Sequence, residues 1–151
     1  MQNKLFYETL MRDLLLKVDN SSENPDIPVA AALLNSENQM VSITTNSNII
    51  KNDPTAHAEI NSLRDACQTL KTSRLDGLSL IVTLEPCLMC AGAIIQSRIN
   101  RVIFGAFEPK TGFMSSLHPT IKEYVPHIEI IGGILETKCS RVMSNLSLIH
   151  I

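Results

Sequence analysis

The chain has 151 residues, enough for one domain with a substantial core and too few for two. Apolar residues make up 44% and charged residues 19%, a globular balance that excludes intrinsic disorder. The formal charge of −2 announces no general affinity for nucleic acid, though it leaves room for a local basic patch.

No apolar stretch approaches the ~20 residues that span a bilayer, and Lys4, Glu8, Arg12 and Asp13 interrupt the amino-terminal segment as no signal-peptide core would be interrupted. Four cysteines fit a reducing compartment in which thiols are kept for metal. The expectation is a single cytoplasmic domain over 1–151, without a membrane partner.

Phe6, Leu10, Leu14 and Val18 recur at four-residue steps and predict an amphipathic helix over about residues 3–19. A polar turn, 20–25, precedes a short apolar strand, 28–34, whose three alanines are weak strand formers. Ser36-Glu37-Asn38 turns the chain into a second strand, 39–45, closing a hairpin. Asp53-Pro54-Thr55 opens a helix with Ile60, Leu63, Cys67 and Leu70 on one face.

Leu80-Ile81-Val82-Thr83-Leu84 is an unbroken apolar run and reads as a central strand. A helix over 87–98 and a strand over 101–107 follow, then a loop holding Pro109, Gly112 and Pro119 and a strand over 128–131. The final helix carries Leu135, Cys139, Val142, Leu146 and Ile149 on one stripe. Without repeats or linkers, this order predicts an α/β sandwich, a sheet covered by helices.

Chemistry concentrates in His57-Ala58-Glu59 and Glu85-Pro86-Cys87-Leu88-Met89-Cys90. Alone, the first is an ordinary helix surface, and the second is half of a four-cysteine zinc clip or a redox pair. Cys67 and Cys139 form no second C-x-x-C and fall on apolar stripes, so they read as core thiols. Together the two motifs supply one imidazole, two thiolates and a spare carboxylate. Three such ligands, His57, Cys87 and Cys90, hold one Zn²⁺ per subunit and leave its fourth position open for water.

The pattern H-x-E followed by P-C-x-x-C is that of zinc nucleobase deaminases. Cys87 ends a strand and begins a helix, where the dipole favours a thiolate, and Cys90 lies one turn on. Residues two apart share no helix face, so His57 belongs at an irregular first turn, with Glu59 turned towards the activated water. Glu59 is then the proton shuttle between water, ring nitrogen and departing ammonia. The competing reading makes Glu59 a fourth zinc ligand. His118 and His127 read as surface histidines and His150 as a tail residue, while Arg98, Arg101 and Lys110 form either a solvated face or a phosphate patch.

Asp53-Pro54-Thr55-Ala56-His57-Ala58-Glu59-Ile60, the run from Val82 through Ala106, and Lys110-Thr111-Gly112 resemble the bacterial tRNA-specific adenosine deaminases. The match is dense over 53–112, fair over 27–46 and loose beyond. The resemblance implies a cytidine-deaminase-like three-layer α/β/α sandwich with a central mixed five-stranded sheet, usually as a homodimer. It also implies conversion of adenosine to inosine at the wobble position of a tRNA anticodon loop, with no DNA partner.

By the same resemblance His57, Cys87 and Cys90 are zinc ligands, Glu59 is the acid/base, and Asn46, Ala58, Glu108 and Lys110 meet the substrate. Without the family, Asn46 reads as a strand-end turn residue. The departures fall on RNA binding: Ser47-Asn48, Phe107, Glu108 and Phe113-Met114 differ from the family's usual residues, and the carboxyl-terminal segment lacks its aromatic and basic residues. The alternative enzyme reading is therefore a zinc deaminase of a free base or nucleoside, of guanine or cytosine type. A zinc-stabilised binding module is the non-enzymatic alternative, against which Glu59 stands.

Overall fold

The computed structural model describes residues 2–19, 25–114 and 127–149. A five-stranded sheet runs β2-β1-β3-β4-β5, built from β1 (Ala30–Leu34), β2 (Met40–Thr45), β3 (Ser79–Leu84), β4 (Arg101–Ala106) and β5 (Glu129–Ile131). β1 is antiparallel to both β2 and β3, whereas β3, β4 and β5 are parallel. The sheet is therefore mixed, as expected.

Period-two alternation sends side chains into two cores. Ala31, Leu33, Leu80, Val82, Val102 and Phe104 pack with Leu63, Ala66, Ala91 and Ile94, which come from α3 (Ala58–Leu70) and α4 (Leu88–Gln96). On the other face Ala30, Ala32, Ile81 and Ile103 pack with Met11, Leu14 and Cys139, from α1 (Gln2–Asp19) and α5 (Glu136–Ile149). The result is a three-layer α/β/α sandwich.

The alanines of β1 belong to this arrangement: all five β1 residues are buried, with helices on both faces, so small side chains let the layers approach. Gly105 in β4 shows the same closeness, because a Cβ there would overlap the Cys139 sulfur. Packing here outweighs β-propensity.

Several strands are a residue or two shorter than expected, β1 opening at Ala30 rather than 28, and three departures bear on the site. A short helix, α2 (Asn48–Lys51), buries no residue and carries no periodic signal. The next helix opens at Ala58 rather than at Asp53. Asp53 instead builds a turn ahead of it, its Oδ1 accepting from the Thr55 N–H at 2.9 Å and the Thr55 hydroxyl at 2.7 Å. These bonds hold the Asp53 carboxyl below the usual carboxylate range. Finally, α4 ends at Gln96, and Arg98 adopts a left-handed conformation (φ 64°).

The polar turn at 20–24, Pro119, His118 and His150 lie outside the described residues. Among the described residues, no helix is long and apolar enough to cross a membrane.

Candidate active site

α3 and α4 each begin beyond the carboxyl end of a strand, β2 and β3 respectively, so both helix N-termini meet at one end of the sheet. That is the end where α/β sheets bind ligands. His57 is the N-cap of α3 and Cys87 the N-cap of α4, both with extended backbone (φ −68°, ψ 156° and φ −76°, ψ 176°). This settles the spacing problem of H-x-E, since His57 stands outside the helix and Glu59 inside its first turn.

His57 Nδ1 lies 3.4 Å from the Cys90 sulfur and 3.6 Å from the Cys87 sulfur. The three ligand atoms all fall within 4.8 Å of one another, and no other such cluster occurs among the described residues. An imidazole nitrogen and two sulfurs at this separation fit a tetrahedral zinc ion with one position left for a fourth ligand.

Electrostatics at the helix ends suit the metal. Sharing of the Cys90 thiol proton pulls Cys87 down to about 5 against partial burial, helped by the Cys90 and Met89 amides at the start of α4. The same sharing, with burial and the nearby Glu59, pushes the Cys90 thiol up. The pair gives up a first proton readily and holds its second.

Glu59 is 4% exposed. Burial pushes its carboxyl up, partly countered by a hydrogen bond with Cys90. A buried carboxyl beside this cluster is an arrangement that general acid/base chemistry uses.

His57, Glu59 and Cys87 line a cavity of about 190 Å³ that also includes Asn46, Glu108, Ile27, Val29, Leu84, Glu85, Thr111 and Met143, with Cys90 buried behind them. Asn46 is buried at the end of β2, its N–H donating to the Val29 carbonyl at 3.0 Å. Glu108 is half-buried, and its Oε1 accepts the Lys110 N–H at 3.0 Å. Ala58 is fully buried and Lys110 exposed, and neither is among the cavity's lining residues.

The cations divide by position. Arg101 begins β4, six residues of strand away from the cavity end, and bonds Glu129 at 2.7 Å and the Tyr7 hydroxyl at 2.8 Å. Its role there is structural. His127 is exposed, Cys139 is buried and Cys67 half-buried against the core.

Sequence reasoning missed Ile27, Val29, Leu84, Glu85, Thr111 and Met143. Glu85 and Thr111 fall within Glu85-Pro86-Cys87 and Lys110-Thr111-Gly112, which was their only signal. Met143 lies off the apolar stripe of its helix, and nothing local marks it.

An α/β/α sandwich that pairs two helix N-termini around an imidazole, two thiolates and a buried carboxyl defines a zinc-dependent hydrolytic deaminase. The family profile for the cytidine and deoxycytidylate deaminase zinc-binding region matches residues 5–106. The tRNA-specific adenosine deaminase of Haemophilus influenzae is 40% identical over 141 residues, covering 92% of this chain and 82% of that protein.

A solved chain from work on A-to-I editing by tRNA:A34 deaminases at the wobble position has a TM-score of 0.80 at 34% identity, over 89% of this chain and 99% of that one. The guanine deaminase of Bacillus subtilis has a TM-score of 0.62 at 32% identity, over 66% of this chain and 64% of that one. The chain belongs to the cytidine and deoxycytidylate deaminase family and, within it, to the tRNA-specific adenosine deaminases.

Proposed function

We propose that this protein deaminates adenosine to inosine at the wobble position of a tRNA anticodon loop, acting in the cytoplasm as a homodimer of single-domain chains. The observation that carries the reading is one small cavity where His57 and Cys87 of the ligand trio, a buried carboxyl and Asn46 converge. At about 190 Å³ it is smaller than the roughly 300–1,000 Å³ of common ligand pockets. It therefore suits one base, with the sugar and backbone left outside. An anticodon-loop base is already free of a duplex, so moving it into such a cavity costs little.

His57, Cys87 and Cys90 would hold the zinc ion. When bound in a site of this kind, zinc acts as a Lewis acid that makes a strong nucleophile of water at neutral pH. Glu59 accepts the proton that water gives up and delivers it to the purine N1, then carries the proton of the hydroxyl added at C6 to the departing amino group, which leaves as ammonia. Its burial excludes bulk buffer from these transfers. Asn46 orients the base, its amide both donating and accepting along a purine edge. Glu108, in the cavity wall, and Lys110, exposed on the same loop, meet the flanking nucleotide, and Ala58 supports the first turn of α3 behind His57.

A second reading, deamination of a free base such as guanine, is favoured by the chain's net charge of −2. The test is inosine formation in an anticodon stem-loop RNA carrying a wobble adenosine, with free adenine, adenosine, guanine and cytosine assayed alongside. Inosine in the RNA alone supports the proposal; turnover of a free base alone overturns it in favour of the second reading.

A further inference from the structure

Beside Glu59 the cavity holds a second carboxyl, Glu85, which is 4% exposed and has no part in the proton transfers above. A buried carboxyl persists only where its oxygens are hydrogen-bonded. Glu85 Oε1 accepts the backbone N–H of Glu108 at 3.0 Å, reaching across to the loop that follows β4.

That loop carries Glu108 and Thr111 into the cavity wall, yet from Phe107 to Thr111 none of its side chains is fully buried. Backbone ties to the turn before Cys87 hold it instead. The Glu85 N–H donates to the Ala106 carbonyl at 2.8 Å, the Phe113 N–H donates to the Pro86 carbonyl at 2.9 Å, and Cys87 pairs with Gly112 in an isolated antiparallel bridge.

Gly112 records how closely the carboxyl sits. A Cβ at this position would overlap both the Glu85 carboxylate and the Glu108 carbonyl. The Gly112 N–H meanwhile closes the loop on that same carbonyl at 2.9 Å. A side chain at 112 would thus push the loop off the Glu85 clamp.

We infer that Glu85 is a positioning residue for deamination: its carboxylate clamps the loop over 107–112 onto the turn that presents Cys87, fixing the cavity wall against which the base is held. The kinetic part of this inference rests on the deaminase reading above. The clamp itself does not.

The test compares zinc-loaded wild type with Glu85→Ala, Glu85→Gln and Gly112→Ala, measuring zinc content, thermal midpoint, amide hydrogen exchange at Glu108, and stem-loop RNA kinetics. With Glu85→Ala the Glu108 amide should exchange at least about tenfold faster, and KM should rise at least about fivefold with kcat much less affected. Glu85→Gln keeps an acceptor oxygen and should match wild type in both. Gly112→Ala should raise KM with Glu85 intact, which keeps the inference testable if Glu85→Ala does not fold.

Unchanged Glu108 exchange in a folded, zinc-replete Glu85→Ala protein overturns the clamp. Damage in Glu85→Gln equal to that in Glu85→Ala also overturns it, since acceptance of the hydrogen bond would then not be the function. If wild type fails to edit RNA, the proposed substrate falls while the exchange measurement still decides the clamp.

Discussion

Replacing Glu59 with glutamine separates proton transfer from architecture. The two side chains have the same shape, and the amide fills the same buried position, 4% exposed, beside the Cys90 thiol. The amide oxygen still accepts a hydrogen bond, but the group cannot carry a proton between water and base. Because the position is buried, buffer in solution cannot substitute for it. One positioned acid/base group is worth roughly 10²–10⁴ in rate, and deamination calls on Glu59 in both directions.

The expected loss in kcat is therefore at least about 10³-fold, which corresponds to about 4 kcal/mol of transition-state stabilisation. Stability should move the other way. Burial raises the Glu59 pKa, so the carboxylate is a desolvated charge that the neutral amide removes. The thermal midpoint should stay level or rise, as when a functional site gives up a destabilising group.

The assay is single-turnover inosine formation with zinc content measured on the same sample. A Glu59→Gln protein with full zinc and kcat within about tenfold of wild type would refute the shuttle role. Loss of zinc in that variant would instead revive Glu59 as a fourth ligand.

Three further outcomes follow from the same geometry. Cys87 and Cys90 should resist alkylation at pH 8 until a chelator is added, while Cys139 stays unreactive throughout; burial pushes its thiol up to about 11, leaving about one part in a thousand as thiolate, and mass spectrometry of the alkylated protein reads all three. Asn61→Ala should cost about 1–3 kcal/mol in denaturant unfolding and raise KM, because its amide donates to the Thr45 carbonyl at 2.9 Å and the Ser47 hydroxyl at 2.8 Å on either side of Asn46. Stem-loop deamination should fall steeply with salt, by a log–log slope of about −0.7 per phosphate neutralised; a flat profile for the RNA would count against an RNA substrate.

What could be read from residues alone, and what could not, divides along physical lines. The clustering of His57, Cys87 and Cys90 was legible because zinc accepts few side chains, and a C-x-x-C at a helix start puts both sulfurs on one side. The strands were legible where burial on both faces makes an unbroken apolar run, as in β3, whose four central residues are buried. α2 was not, because four residues show no period and its placement depends on a residue far back in the chain: Asp26 Oδ1 accepts the Ile49 N–H at 2.8 Å across 23 positions. The start of α3 was misplaced for a related reason, since Asp53 caps a turn with the chemistry that elsewhere caps a helix.

Met143 and Glu85 mark the deeper limit. One reaches the cavity from the last helix and the other meets Glu108 across 23 positions, so each acquires its role only when separate elements pack together. Metal ligands announce themselves by their own chemistry, whereas a cavity wall is defined by its neighbours. Part of the cavity wall is therefore supplied by segments that the motifs do not mark, the loop over 107–112 and, through Met143, the last helix.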